Sequence, residues 1–321
     1  MMLGFVMSLK SRILYSLMLS GKSEFKRTMA RYDPAKQSLE EDLIRAQIAR
    51  KGFERFSRFM SFMSKDPKDV LQERAVRGGV KAVIMTPANP NDKLVLYIHG
   101  GAWVLKLEKL HRNFAANIAR STNAKIWVAD YRLAPEYPFP AGLNDVFALY
   151  QAMLRDGHDP KKIIIMGDSA GGNLTLALLL KIKQEGLPMP GAAIPLSPVT
   201  DFHMEAESFT TKAEVDPVLA VDKHKILYFT YLRGASPLDP LVSPLFGDLE
   251  GLPPLLIIVG GQEILLNDSI NFAEKARKAG VDVTLDVHDE LFHVYPLFTD
   301  ILDDAKIALG KIALFIAMKT A

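Results

Sequence analysis

Cysteine is absent from the 321-residue chain. Its absence excludes disulfides, thiolate metal sites and a cysteine nucleophile in one step. It also fits a reducing compartment, so a cytoplasmic location is expected. An excess of one charge sign is missing too: 39 Lys and Arg face 37 Asp and Glu, for a net charge of +2. The basic residues are scattered rather than clustered, so no nucleic-acid partner is expected. Long apolar runs are scarce. Residues 1–20 are apolar but interrupted by Lys10 and Arg12, short of the roughly 18–20 apolar residues of a membrane span. They read as an amphipathic helix that docks on the protein or, as the weaker alternative, touches a membrane surface. A signal peptide fits less well, because the run Ile13–Leu19 is short and no small-x-small cleavage site follows before Lys22. Internal repeats and low-complexity segments are absent as well.

What is present is the composition of a globular protein: 49% hydrophobic and 24% charged residues. A chain of this length can bury a large core without staples. Up to about residue 65 it reads as helix only. Ser38 begins a capping box with Glu41, and Leu39, Leu43, Ala46, Phe53, Phe56, Met60 and Met63 follow at helical spacing. Asp66-Pro67 ends that pattern.

From residue 70 short β-rich runs alternate with longer helical stretches. The runs are Leu71–Val76, Val80–Thr86, Lys93–Ile98, Lys125–Ala129, Lys162–Met166, Ala192–Leu196, Leu255–Val259 and Val281–Val287. Helical periodicity marks Leu110–Ser121, Gly142–Asp156, Gly171–Glu185, Ser269–Ala279 and about Leu302–Met318. Alternation of this kind implies an α/β fold with a mostly parallel, eight-stranded sheet. The first two runs are too close for a crossover and should form an antiparallel hairpin. Asp201 to Pro254 breaks the alternation and is too long for a plain loop, so helices are expected within it.

The strongest chemical signal is Gly167-Asp168-Ser169-Ala170-Gly171-Gly172-Asn173. It joins an apolar strand to a helix, the context in which Gly-x-Ser-x-Gly forms a nucleophile elbow. The turn demands small neighbours, and it presents the Ser169 hydroxyl above the strand end with a helix N-terminus aimed at the reacting carbonyl. A second signal, His99-Gly100-Gly101-Ala102-Trp103, follows the strand Lys93–Ile98. Bare glycines let backbone N–H groups approach a developing oxyanion. Gly100, Gly101 and Ala170 are the expected donors, and His99 is expected to brace the loop.

The general base should lie late in the chain, above the strand ends. Of seven histidines, His293 fits, after the strand Val281–Val287 and a short turn; His288 competes. His111 and His158 read as surface or helix-end residues. The orienting carboxylate should follow the strand Leu255–Val259, where Glu263 and Asp268 are candidates. Either satisfies the order Ser, acid, His, and Asp268 reads better as the first-turn residue of the helix after it.

Four motifs, in this order and spacing, make the chain resemble the hormone-sensitive-lipase-like bacterial carboxylesterases of the α/β-hydrolase superfamily. They are His99-Gly100-Gly101-Ala102-Trp103, Tyr131-Arg132-Leu133-Ala134-Pro135-Glu136, Gly167-Asp168-Ser169-Ala170-Gly171-Gly172 and Leu196-Ser197-Pro198-Val199-Thr200-Asp201. The resemblance covers residue 70 to the end. It implies a helical cap built from residues 1–66 and an insertion at about 202–235, over a hydrolase domain spanning 67–321. It implies that the Tyr-Arg-Leu-Ala-Pro-Glu segment supports the oxyanion loop. Where the family has an Asp-Pro-Leu segment this chain has Glu263-Ile264-Leu265, so Glu263 looks like the acid. Many members carry a third glycine where Ala102 stands.

The expected activity is hydrolysis of short- to medium-chain carboxylic esters by Ser169, His293 and Glu263 through an acyl-enzyme, with no cofactor and no metal. Trp103 and the aromatic residues Phe209, Tyr228, Phe229 and Tyr231 could wall an acyl pocket. The expected partner is a small-molecule ester; the resemblance is also compatible with a homodimer. Two rivals are an amidase or deacetylase on the same triad and a ligand receptor on an inactive scaffold. Retention of His293 argues against the receptor.

Overall fold

Leu94–Ile98 offers no polar face to water, and every residue of that strand is buried. The same holds for Ile163–Asp168, Ala192–Leu196 and Leu255–Gly260. Strands of this kind must be covered on both sides. The computed structural model describes residues 9–16, 18, 38–62, 68–219 and 230–320, and in it these runs form the middle of one sheet. The strands are β1 (Val70–Arg77), β2 (Val80–Pro87), β3 (Leu94–Ile98), β4 (Lys125–Asp130), β5 (Ile163–Asp168), β6 (Ala192–Leu196), β7 (Leu255–Gly260) and β8 (Val283–His288). Their order is β1-β2-β4-β3-β5-β6-β7-β8. The β1–β2 hairpin and the β2–β4 pair are antiparallel; all other pairs are parallel.

The helices are α1 (residues 9–16), α2 (Leu39–Phe62), α3 (Lys109–Thr122), α4 (Ala141–Arg155), α5 (Ala170–Gln184), α6 (Ser208–Thr211), α7 (Leu266–Lys278) and α8 (Asp303–Lys319). Successive strand residues point to opposite faces, and the core divides accordingly. Leu94, Leu96, Ile98, Ile163, Ile165, Leu255 and Ile257 join the cluster that α4, α5 and α7 cover. Val95, Tyr97, Ile164, Met166, Leu256 and Ile258 join the cluster under α3 and α8. Each fully buried large apolar side chain contributes about 1.5–3 kcal/mol, so these two layers hold the sheet ends that carry the site.

Strand β8 begins two residues later than its apolar pattern suggests. Gly280 takes a positive φ and the Val281 N–H donates to the Ala276 carbonyl, so Val281 closes the end of α7 instead of entering the sheet. The stretch from Asp201 to Pro254, expected to hold helices, contains in its described part only the four-residue α6, a 3-10 turn at Pro244–Phe246 and helical residues 230–232. Met63, Tyr228 and Phe229 lie outside the described residues. Among the described residues no helix is long and apolar enough to cross a membrane.

Candidate active site

Ser169 stands between β5 and α5 with φ 54° and ψ −117°. That conformation is costly for a side-chain-bearing residue and persists only where its surroundings enforce it. Here the Ser169 N–H donates to the Leu196 carbonyl at 2.8 Å. The neighbours are glycines for a steric reason. A Cβ on Gly171 would collide with the carbonyl oxygens of Ile98 and His99, and one on Gly167 with the Gly171 carbonyl. Strand, turn and helix therefore meet more closely than alanine allows.

The loop after β8 brings His293 to this serine. Its Nε2 lies 2.9 Å from Ser169 Oγ and its Nδ1 3.0 Å from Glu263 Oε1. Burial alone would lower the imidazole pKa. The charge and hydrogen bond of Glu263, reinforced by Asp216 and Asp168, outweigh it and hold the value above the ordinary one. Glu263 is fully buried. Its Oε2 accepts the Gly260 N–H at 3.0 Å and the Ser197 hydroxyl at 2.9 Å. Ser197 Oγ in turn accepts the Val294 N–H at 3.2 Å, so one hydroxyl ties the carboxylate to the backbone that carries His293.

Ser197 has φ 45°, where glycine fits better than serine. Ser197→Gly therefore removes the hydroxyl without adding backbone strain. It is expected to lower kcat by roughly 10–100-fold with KM little changed, because a misplaced orienting group affects the transition state more than binding. Steady-state kinetics on a short aryl ester checks this; an unchanged kcat would show that Gly260 alone fixes Glu263.

The oxyanion-loop expectation needs one correction. The Gly100 N–H does not face open space: it donates to Asp168 Oδ1 at 3.0 Å. A Cβ on Gly100 would also strike the Asp168 side chain, so this glycine serves close packing against Asp168. Asp168 accepts the Tyr97 hydroxyl as well, and burial pushes its pKa up to about 6 against those hydrogen bonds. The next two residues are different. Gly101 and Ala102 have φ of 110° and 52°, and neither N–H has an acceptor among the described residues. Ala170 supplies the first N–H of α5, a position with no intrahelical acceptor. The loop is braced from behind. His99 Nδ1 lies 2.7 Å from the Gly100 carbonyl, Tyr131 Oη donates to the His99 carbonyl at 2.8 Å, and the Ala134 N–H donates to the Trp103 carbonyl at 2.9 Å. Burial lowers the His99 pKa to about 4, which keeps the ring neutral.

Other candidates fall elsewhere. Asp268 accepts the N–H groups of Thr200 and Asp201 at 2.6 and 3.1 Å and contacts no histidine; burial raises its pKa to about 7. His288 ends β8 beside Asp304, 3.6 Å away, and does not reach Ser169. His111 lies in the first turn of α3 but is buried, not at the surface, with Nε2 3.9 Å from Asp168. Trp103, expected to contact substrate, is only 1% exposed. Its indole stacks on Tyr231 at 4.5 Å and packs against Phe202 at 5.1 Å. It offers almost no free surface, so its place is behind the site wall. Among the described residues no cluster of His, Asp or Glu could hold a metal ion.

A parallel α/β sheet with a serine elbow at the head of its central strand defines an α/β-hydrolase, and the relatives place it within that class. Residues 95–297 match the family model described as alpha/beta hydrolase fold. An esterase of Acinetobacter venetianus is 39% identical over 76% of this chain and 82% of its own. An acetyl-hydrolase of Streptomyces hygroscopicus is 35% identical over 76% and 81%. Among solved structures, an esterase from the bacterial hormone-sensitive lipase family superposes with a TM-score of 0.85 at 34% identity, covering 99% of this chain and 100% of that one. A hormone-sensitive lipase from a metagenome library gives 0.84 at 30% identity, over 98% and 100%. The chain belongs to the hormone-sensitive-lipase-like carboxylesterases and is a carboxylic ester hydrolase.

Proposed function

We propose that this hydrolase cleaves short- to medium-chain carboxylic esters by two-step acyl transfer, with Ser169 as nucleophile, His293 as general base and Glu263 as the orienting acid. The observation that carries the proposal is the pair of contacts on one imidazole, 2.9 Å to Ser169 Oγ and 3.0 Å to Glu263 Oε1. His293 takes the serine proton as Ser169 attacks the ester carbonyl, then protonates the leaving alcohol; water repeats the sequence on the acyl-enzyme. The N–H groups of Gly101, Ala102 and Ala170 receive the oxyanion, Ala102 taking the place expected for Gly100, whose N–H is held by Asp168. Each such donor is worth on the order of 100-fold in rate.

In this proposal the described parts of residues 1–66 and about 202–235 form the expected cap over the domain 67–321. Two observations support this: Ala46 of α2 shares a core cluster with Phe202, Tyr231 and Leu232, and Asp42 of α2 lies 3.4 Å from Arg233. A capped site admits small soluble esters better than lipid droplets. The name of the Streptomyces relative, an acetyl-hydrolase, agrees with the short end of that range.

A series of aryl esters from acetyl upward, with a matched anilide, tests the reading. The expected kcat/KM peaks at short to medium acyl chains and is lower for the anilide. A maximum on long-chain emulsions would overturn the chain-length assignment, and an anilide cleaved as fast as its ester would favour an amidase.

A further inference from the structure

Three consecutive residues of the oxyanion loop, Gly101, Ala102 and Trp103, hold positive φ of 110°, 52° and 60°. Left-handed backbone costs roughly 1–2 kcal/mol per non-glycine residue, so something must hold this run in place. Part of the support is local: the N–H groups of Val104 and Leu105 donate to the Gly101 carbonyl at 3.0 and 2.8 Å. The rest comes from α2, far away in sequence. Arg50 Nε donates to the Val104 carbonyl at 2.8 Å and Nη2 to the Ala134 carbonyl at 3.0 Å. The same guanidinium grips Glu136 through Nη1 and Nη2 at 2.6 and 2.8 Å. The Ala134 N–H already donates to the Trp103 carbonyl. Loop, Tyr131–Glu136 segment and helix thus close into one ring, with Arg50 as the member from α2.

We infer that Arg50 is a positioning residue for the ester hydrolysis, clamping the oxyanion loop so that the seating of α2 sets the geometry of the Gly101 and Ala102 N–H groups. A plain structural staple would not need to reach both the carbonyl that follows the loop and a carbonyl of the segment that braces it. The planar fork of arginine can serve two carbonyls and a carboxylate together; the point charge of lysine cannot. The side chain is 13% exposed, so water cannot readily take over its bonds. The consequence is that α2 contributes to the chemical step and not only to the wall around the substrate. This inference rests on the oxyanion-hole reading proposed above.

The test uses the full chain and the variants Arg50→Ala and Arg50→Lys. Active-site concentration is fixed by exhaustive titration with an aryl phosphonate, so a smaller folded fraction does not count as slower catalysis. With a short aryl ester, kcat per titrated site is expected to fall roughly 10–100-fold in both variants, since a drifting donor approaches the loss of one, while KM stays within about twofold. The inhibition constant of a trifluoromethyl ketone, which forms the oxyanion, should rise in step with the fall in kcat/KM, and added methylguanidinium should restore part of the rate to Arg50→Ala. Unchanged kcat per site with only a lower melting temperature would overturn the inference in favour of a staple. A rise in KM alone would overturn it in favour of a substrate wall. If the wild type neither turns over esters nor titrates at Ser169, the functional reading fails first, and that outcome is visible before any variant is compared.

Discussion

Ser169→Ala is expected to lose on the order of 10⁴–10⁶ in kcat, the scale on which removing a triad nucleophile acts. The size follows from how the hydroxyl is used. Its contact in the folded chain is His293 Nε2 at 2.9 Å, and among the described residues no second hydroxyl contacts that nitrogen: cysteine is absent from the sequence, and Ser197 Oγ is occupied by Glu263 and the Val294 N–H. Folding should be unaffected. The strained turn is fixed by the Ser169 N–H bond to Leu196 and by the close approach of Gly167 and Gly171, all of which alanine retains. The melting temperature should therefore stay within a few degrees of wild type, a shift corresponding to about 1 kcal/mol or less. Residual turnover, where measurable, reports what the N–H donors and binding achieve without a nucleophile. A fluorophosphonate should label the wild type once, at Ser169, and leave the variant unlabelled. Ester hydrolysis at the wild-type rate by Ser169→Ala would end the proposed mechanism.

The legible parts of this chain are those in which one local rule dictates the outcome. Apolar runs such as Leu94–Ile98 can only be central strands, and Gly167-Asp168-Ser169-Ala170-Gly171 between strand and helix can only bend one way. What could not be read locally depends on partners distant in sequence. Gly100 carries the same signature as Gly101, and only the folded chain shows that the Asp168 carboxylate, 68 residues away, has taken its N–H. Ser197 sits in a Ser-Pro turn whose sequence gives no hint of Glu263 or Val294. A positive φ on a buried serine is the available signal, and it is structural. Arg50 looks like any basic residue on an amphipathic helix until its guanidinium is found on the carbonyls of Val104, at the end of the oxyanion loop, and Ala134, in the segment behind it. Trp103 had the composition of a pocket wall, but stacking on Tyr231 withdraws its ring from the surface. The boundary of β8 moved for a similar reason, since the hydrogen bond that caps α7 competes for Val281.

Replacing Glu263 by glutamine tests the electrostatics of the site, through both rate and pH. The rate should fall on the order of 10³–10⁴-fold, the range seen when a triad carboxylate is removed elsewhere. The pH dependence has a definite sign. In the proposed mechanism His293 acts as a base only when neutral, so kcat/KM should be lost as pH falls through its pKa. In the wild type, burial lowers that pKa, but Glu263 together with Asp216 and Asp168 outweighs it and holds the value above the ordinary one, so the acidic limb should lie above about 6.5. Glutamine removes the charge but leaves the burial. The imidazole is then easier to deprotonate, and the limb should move to lower pH while its plateau drops. Such a pairing separates electrostatics from simple damage, because a merely distorted site would lower the plateau without moving the limb. Asp268→Asn is the matched control: that carboxylate binds Thr200 and Asp201 rather than His293, so neither limb nor plateau should follow the Glu263 pattern. If instead Asp268→Asn shifts the limb downward and Glu263→Gln does not, the acid is Asp268, and the 3.0 Å contact between Glu263 and His293 has another purpose.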